Sequence, residues 1–212
     1  MTEDRLFSIE EALAHLRRID AKLAAVIERV GAYDAPQRSD PYAALVRAIL
    51  FQQLAGAAAN AIQRKFFALY GNDGEPPSPP QILETTDEQF RGAGVSRQKT
   101  GYLRDLAAHV VDGRLKLEEL PALGDEEVIQ RVTAVKGLGE WSAHMFLMFH
   151  LGRPDVLPIG DLGVRNGMRV TYELPAVPTP KEALVIGAPW APFRSVGSWY
   201  MWRAGEPNGP DI

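Results

Sequence analysis

The chain has 212 residues, of which 46% are hydrophobic, and a formal net charge of −4 at pH 7. It contains no cysteine, which excludes disulfides, thiolate zinc sites and cysteine-ligated iron–sulfur clusters. No apolar run has the length of a membrane span, and the first residues lack the pattern of a signal peptide. We therefore expect an intracellular, cytoplasmic protein that is not secreted and has one core or a core divided between two lobes.

Helical patterns fill nearly all of the sequence. Ser8 to Glu11 reads as a capping box ahead of an amphipathic run, and Asp20 reads as a second cap. Asp40, followed by Pro41, predicts the start of a helix over 42–53. An Ala-rich helix over 55–70 is expected to follow and to stop at a glycine.

Residues 71–80, GNDGEPPSPP, predict a loop, because proline cannot donate to a helical hydrogen-bond ladder. Helical patterns then resume, and they lie at 81–90, 98–112, 125–134, 140–151, 161–168 and 192–203. No run of alternating apolar and polar residues with hairpin turns indicates a β-strand. The fold class predicted from these patterns is all-α, built from short helices with compact connections.

A Gly-Leu-Gly turn at 137–139 separates two of these helical patterns. Glycine lets a phosphate approach the chain closely, and the free N–H groups that open the next helix form an anion site. An ordinary turn between packed helices is the alternative. The valines at 132 and 135 and the Ser-Ala pair at 142–143 favour a hairpin that holds the DNA backbone without reading sequence. The expected DNA-backbone residues are Lys136, Gly137, Leu138, Gly139, Trp141 and Ser142.

A single carboxylate, Asp161, follows the hairpin in a turn framed by Pro158 and Gly160. An aspartate that opens a helix is usually an N-cap. The same position fixes a negative charge rigidly, and such a charge can stabilise an oxocarbenium-like sugar and orient an attacking water. The residue alone leaves both interpretations open.

Together these segments resemble the helix-hairpin-helix (HhH-GPD) DNA glycosylase superfamily, and most closely its 3-methyladenine DNA glycosylase II branch. The resemblance covers roughly residues 5 to 205. Its most specific part runs from the hairpin to Asp161. The matched segments are 46–53, 94–99, 137–143, 155–158, 160–163, 190–195 and 199–203.

The resemblance implies that Asp161 is the catalytic carboxylate. Lyase-type relatives carry a Schiff-base lysine two residues after the second hairpin glycine, where this chain has Trp141. An indole cannot attack the sugar as an amine does, so the resemblance implies a monofunctional enzyme without AP-lyase activity. It also implies a compact form without the N-terminal β domain of some relatives.

The same resemblance implies a two-lobed architecture. Helices from about 40 to 150 would form one lobe, which ends in the helix-hairpin-helix motif at 132–151. Residues 1–39 and 151–212 would form the second lobe, with the catalytic Asp161 in a cleft between the two. We expect no cofactor and no side-chain metal site, although backbone carbonyls of the hairpin can hold a sodium or potassium ion in relatives.

A glycosylase must extrude its target nucleotide and hold the base in a pocket. By the resemblance, Trp141 and Trp202 are aromatic pocket residues, and an indole face attracts the cationic ring of an alkylated purine. Gln52, Gln53 and Met145 complete the expected pocket. The alternative for any single tryptophan is a core residue, which is the interpretation that we adopt for Trp199.

Residues 91–104 contain four basic side chains and no acidic one. A charged run of this kind is usually a solvated helix face. The resemblance instead implies that Val95, Ser96 and Arg97 form a wedge, which is pushed into the DNA stack beside the flipped nucleotide.

The function expected from the sequence is that of a monofunctional DNA glycosylase. It would excise alkylated purines of the 3-methyladenine and 7-methylguanine type from double-stranded DNA, as a monomer, and so initiate base-excision repair. One alternative is a glycosylase for an oxidised or deaminated base. The other is a non-catalytic DNA-binding module that uses the hairpin alone.

Overall fold

The computed structural model describes residues 6–35, 40–54, 56–71 and 74–205, and the regular structure within these ranges is entirely helical. The all-α prediction is confirmed. Among the same residues, no helix is long and apolar enough to cross a membrane. The α-helices are α1 (Ile9–Ile19), α2 (Ala21–Val30), α3 (Pro41–Phe51), α4 (Gly56–Ala68), α5 (Pro79–Glu84), α6 (Asp87–Gly92), α7 (Arg97–Val111), α8 (Asp125–Thr133), α9 (Glu140–Phe149), α10 (Leu162–Tyr172), α11 (Pro180–Gly187) and α12 (Arg194–Gly205), with 3₁₀ turns at Leu117–Ala122 and Ala188–Trp190.

Three helix starts that were predicted from cap residues are confirmed. The side chains of Ser8, Asp20 and Asp40 accept hydrogen bonds from backbone N–H groups of the first turns of α1, α2 and α3. Asp20 also ends α1, so one residue separates the two helices. The Ser8 hydroxyl donates to the carboxylate of Glu10 at 3.0 Å. The carboxylate that contacts the Ser8 cap is therefore that of Glu10, whereas a capping box would use Glu11.

Elsewhere the helices differ from the prediction. The run 81–90 is divided into α5 and α6, because Thr86 forms a new capping box with Gln89. Pro79 and Pro80 belong to α5 rather than to the preceding loop, since the first helical positions need no N–H donor. Helix α11 was not predicted, although Thr179 and Glu182 form a capping box around a first-turn proline.

The contacts divide the chain into two compact units. Residues 38–146 form the first, which we call the hairpin unit, and residues 1–37 together with 147–212 form the second, the aspartate unit. Helix α9 begins in the hairpin unit and its last three residues belong to the aspartate unit.

The hairpin unit is organised around α7, its longest helix, which packs against α3, α5 and α6. The core is apolar, and the rings of Phe66 and Phe90 stack with their centroids 5.2 Å apart. The fully buried side chains include Leu45, Ile49, Leu50, Phe66, Ile82, Phe90 and Leu103. Burial on this scale fixes α7, and α7 in turn supplies the residues that contact the hairpin.

The aspartate unit depends on an unusually close approach of α10 to α12. A Cβ atom on Gly167 of α10 would lie 1.9 Å from the carbonyl oxygen of Met201 in α12, and one on Gly205 would lie 3.0 Å from the Gly167 nitrogen. Trp190 and Tyr200 are fully buried in this unit, and the Tyr200 hydroxyl donates to the Gly31 carbonyl at 2.8 Å. Glycine is therefore required where the two helices meet.

The substitution Gly167→Ala tests this contact. Because the added methyl would overlap the α12 backbone, we expect the free energy of unfolding to fall by at least about 2 kcal/mol. Gly101→Ala in α7 is the matched control, since a Cβ there meets nothing within 4 Å. It should stabilise the protein by about 0.5–1 kcal/mol through helix propensity. Denaturant unfolding measures both changes, and equal effects of the two substitutions would contradict the close approach.

Candidate functional site

Asp161 is both the N-cap of α10 and a fixed carboxylate. Its Oδ1 atom accepts hydrogen bonds from the Val164 backbone N–H at 2.7 Å and from the Trp202 indole N–H at 2.8 Å. Its own backbone N–H donates to the Pro158 carbonyl at 2.9 Å. The start of a helix and an indole donor both face this oxygen, an arrangement that suits an anion. The two interpretations of Asp161 from the sequence are therefore compatible.

Trp202 reaches Asp161 because Gly163 leaves room for its ring. A Cβ atom on Gly163 would lie 2.8 Å from Cδ1 of Trp202. The indole is 3% exposed and tilts against the ring of Phe149, with centroids 5.6 Å apart. Trp202 was predicted as a pocket residue from the resemblance, whereas its bond to the carboxylate was not foreseen. Trp199 is buried against Tyr33, as expected of a core residue.

The segment that leads to Asp161 is tied to the start of α12. Arg194 forms a two-pronged ion pair with Asp155, with N–O distances of 2.7 and 2.8 Å. The Ser195 hydroxyl accepts from the Val156 N–H at 2.9 Å and donates to the Arg153 carbonyl at 2.7 Å. These bonds attach the segment before Asp161 to α12, the helix that also carries Trp202.

The Gly-Leu-Gly turn uses its two glycines differently. Gly137 has a φ of +83°, and a Cβ there would lie 2.2 Å from the Tyr102 ring. Gly139 is outside the positive-φ region, and a Cβ there would meet nothing within 4 Å. Backbone freedom thus explains Gly137 alone, and Gly139 instead leaves open space in front of α9. Leu138 is buried, so its side chain is not exposed for the predicted contact with the DNA backbone.

Side chains from distant parts of the hairpin unit hold the polar groups of the turn. The Gln52 amide donates to the Gly137 carbonyl at 2.6 Å, and the Lys136 backbone N–H donates to the Asp105 carboxylate at 2.8 Å. The Lys136 side chain is 79% exposed. The buried side of the turn is therefore fixed by hydrogen bonds. Its other side presents the Lys136 ammonium and the N-terminus of α9 to solvent. Ser142 is buried, so its hydroxyl is not exposed for the predicted contact with the DNA backbone.

A cavity of about 280 Å³ lies beside the hairpin. It brings together several predicted residues with polar residues of α7 that the sequence analysis missed. The lining consists of Gln52, Gln53, Ser96, Gln98, Lys99, Tyr102, Gly137, Gly139, Trp141 and Ser142. Trp141 is 46% exposed, whereas Met145 is buried and does not line the cavity. Trp202, the fifth predicted pocket residue, belongs to the aspartate unit.

Lys99 is the cation that lines this cavity. Its Nζ donates to the Leu50 carbonyl at 2.6 Å, near the end of α3. Partial burial lowers the pKa of Lys99 from its ordinary value, because desolvation disfavours the charged form. The available signal in the sequence was helical spacing. Lys99 stands three positions before Tyr102 on α7, and Gln98 stands four positions before it.

The predicted wedge is corrected at its first residue. Val95 is 4% exposed, and its backbone N–H donates to the Phe90 carbonyl at 2.9 Å, so its side chain belongs to the core and not to an exposed wedge. Ser96 caps α7, and both Ser96 and Arg97 are exposed. No group of three or more His, Asp or Glu side chains within the described ranges has the arrangement of a metal site.

Comparisons with known proteins agree on one family. The sequence pattern described as HhH-GPD superfamily base excision DNA repair protein matches residues 46–192. DNA-3-methyladenine glycosylase 1 of Schizosaccharomyces pombe is 37% identical over 209 residues, which cover 96% of this chain and 91% of that protein.

Two solved structures have similar folds. The first is the 3-methyladenine DNA glycosylase (Mag1) of S. pombe in complex with abasic DNA, with a TM-score of 0.83, 36% identity, and coverage of 91% of this chain and 95% of that one. The second is a DNA-3-methyladenine glycosidase from Bacillus halodurans, with a TM-score of 0.82, 37% identity, and coverage of 93% and 90%.

Substitution by alanine should affect the two hairpin glycines differently. Gly137→Ala should lower the free energy of unfolding by about 2 kcal/mol or more, because it adds strain at positive φ and an overlap with Tyr102. Gly139→Ala is the control and should change it by less than about 0.5 kcal/mol. Denaturant unfolding of both variants checks this difference. A Gly139→Ala variant as unstable as Gly137→Ala would contradict the geometry of the turn.

Proposed function

The chain belongs to the HhH-GPD superfamily of base excision DNA repair proteins, and we propose that it is a monofunctional DNA glycosylase for alkylated purines in double-stranded DNA. The observation that carries the proposal is Asp161, a carboxylate that is held by a helix start and by the indole N–H of Trp202 and that lies within the segment matching the family. The names of the similar proteins indicate bases of the 3-methyladenine class. We include 7-methylguanine because it carries the same ring charge.

The hairpin unit supplies the hold on the DNA backbone. The exposed ammonium of Lys136 and the N–H groups at the start of α9 suit a phosphate, and neither reads a base. Ser96 and Arg97 are the exposed residues for the wedge. The exposed indole of Trp141 offers a face on which a cationic base can stack.

The aspartate unit supplies the chemistry. A purine alkylated at a ring nitrogen is already cationic, so the bond from C1′ to the base breaks with its electron pair moving onto the base. The sugar is left as an oxocarbenium-like cation, which the Asp161 carboxylate stabilises. The same carboxylate orients a water molecule, which adds to C1′ and passes its proton by way of the carboxylate to solvent.

The products are the free base and an abasic strand that remains intact. Strand cleavage by a lyase needs an amine that attacks the sugar, and the corresponding position after the hairpin holds the indole of Trp141. A sodium or potassium ion on the hairpin backbone is part of the same proposal.

Asp161→Asn tests the proposed reaction. Asparagine caps a helix about as well as aspartate, so stability should change little, while the loss of charge should slow base release about 100-fold or more. The assay measures bases released from methylated duplex DNA, together with strand breaks before and after alkali. For the wild-type protein we expect free 3-methyladenine and 7-methylguanine, and strand breaks only after alkali.

Asp20→Asn is the matched control for Asp161→Asn. Asp20 also caps a helix and also accepts an indole N–H, that of Trp190 at 3.2 Å. Base release should survive this substitution at a temperature where the protein is folded. No release of any alkylated base by the wild-type protein would falsify the proposed substrate class. Full activity of Asp161→Asn would remove Asp161 from the mechanism.

Trp202→Phe separates the hydrogen bond from the ring. Phenylalanine keeps an aromatic side chain beside Phe149 but cannot donate to Asp161, so kcat should fall about ten- to a hundredfold. Affinity for a duplex with an abasic site should stay within about twofold, since the hairpin unit is unchanged. Trp190→Phe, which removes the indole donor to Asp20, is the control and should leave kcat unchanged. Equal losses in the two variants would indicate a general effect on folding.

A further inference from the structure

One face of α7 lies against the hairpin. Gln98, Tyr102, Asp105 and His109 follow one another at helical spacing on this face. Tyr102 occupies the space where Gly137 lacks a side chain, and its hydroxyl accepts from the Gln98 amide at 2.6 Å. Asp105 contacts the residue before that glycine. The face therefore determines both the position and the orientation of the turn.

Asp105 makes three interactions at this place. Its Oδ2 accepts the Lys136 backbone N–H at 2.8 Å and lies 3.3 Å from Nδ1 of His109. Its Oδ1 lies 3.9 Å from the Lys136 ammonium. The carboxylate is only 17% exposed, while the Lys136 side chain is 79% exposed. Asp105 thus holds the backbone of Lys136 and leaves its cation in solvent.

A histidine of the same helix lies beside the carboxylate. Arg114 lies 3.0 Å from Nε2 of His109, and an arginine can only donate, so Nε2 accepts and Nδ1 carries the hydrogen. That Nδ1–H donates to the Asp105 backbone carbonyl at 2.8 Å and faces the carboxylate. The Asp105 side chain therefore lies between an imidazole donor on its own helix and the hairpin N–H.

The charge of Asp105 opposes the binding of a phosphate by Lys136. A carboxylate 3.9 Å from that ammonium offsets part of its charge and repels DNA. Electrostatics alone would favour a neutral residue here. Asp105 favours DNA binding in another way, by accepting the Lys136 N–H. That hydrogen bond orients the peptide that leads into Gly137.

We propose that Asp105 is a positioning residue of the DNA-binding hairpin: it fixes the turn through the Lys136 N–H, at the cost of a negative charge beside the phosphate site. The inference rests on the proposed DNA-binding role of the hairpin. It makes the two consequences of removing Asp105 opposite in sign. Loss of the charge strengthens DNA binding, whereas loss of the hydrogen bond weakens it.

Two substitutions separate these consequences. Asp105→Asn keeps an oxygen acceptor for the Lys136 N–H and removes the charge, whereas Asp105→Ala removes both. Binding is measured with a duplex that carries an abasic-site analogue, over a range of NaCl concentrations. We expect Asp105→Ala to bind about tenfold more weakly than the wild type and Asp105→Asn to bind as tightly or more tightly. Glu119→Ala is the control, because it removes an acidic residue of the hairpin unit that pairs with Lys116 instead, and its affinity should not fall.

The result that overturns the proposal is an Asp105→Ala variant that binds at least as tightly as the wild type, or an Asp105→Asn variant as weak as Asp105→Ala. If Asp105→Ala does not fold, the amide resonance of Lys136 decides. It should move in the wild type when acid protonates the carboxylate and should not do so in Asp105→Asn, and a resonance that moves equally in both overturns the proposal. Neither readout needs base release, so a protein that binds DNA without releasing methylated bases fails the proposed function alone.

Discussion

The backbone contact between α10 and α12 is the constraint on which the carboxylate depends. Gly163 and Gly167 lie on the face of α10 that meets α12, where a methyl group on either would overlap Trp202 or the Met201 carbonyl. Asp161 begins α10 and Trp202 lies near the end of α12, so the separation of the two helices sets the distance from indole to carboxylate. The role proposed for Asp161 needs an oxygen held within a fraction of an ångström, and buried helices provide that precision better than a loop.

The hairpin is built by the same principle within the other unit. Gly137 has no side chain, and the Tyr102 ring fills the place that a side chain would take. Gln52 and Asp105 take up the carbonyl and N–H groups on either side of that contact, and so satisfy backbone polar groups that a sharp turn leaves without helical partners. The side of the turn that faces solvent is left with Lys136 and the start of α9. In the proposed DNA-binding role, rigid support on one side of the turn lets the other side bind a phosphate without reorganising.

Features that depend on neighbouring residues could be predicted from the sequence. The caps at Ser8, Asp20 and Asp40 and the Gly-Leu-Gly turn are local, because the residues that define them are also the residues that interact. The bond from Trp202 to Asp161 joins residues 41 positions apart, and that from Lys136 to Asp105 joins residues 31 apart. No spacing rule identifies such pairs. The burial of Val95 was not predicted, for the same reason. The basic residues around it indicate an exposed segment, and their spacing does not show what lies behind them in the core.

Asp20 shows why local geometry alone does not identify a catalytic carboxylate. It caps α2, accepts the indole N–H of Trp190 and also accepts the Tyr172 hydroxyl, so its interactions closely parallel those of Asp161. Tyr172 is the last residue of α10, and Asp20 therefore ties that helix to α2. The two aspartates hold opposite ends of α10, one joined to the N-terminal helices and the other at the helix start that follows the hairpin. What distinguishes Asp161 is this place in the chain, within the part that matches the family, because its hydrogen bonds are those of any well-held cap.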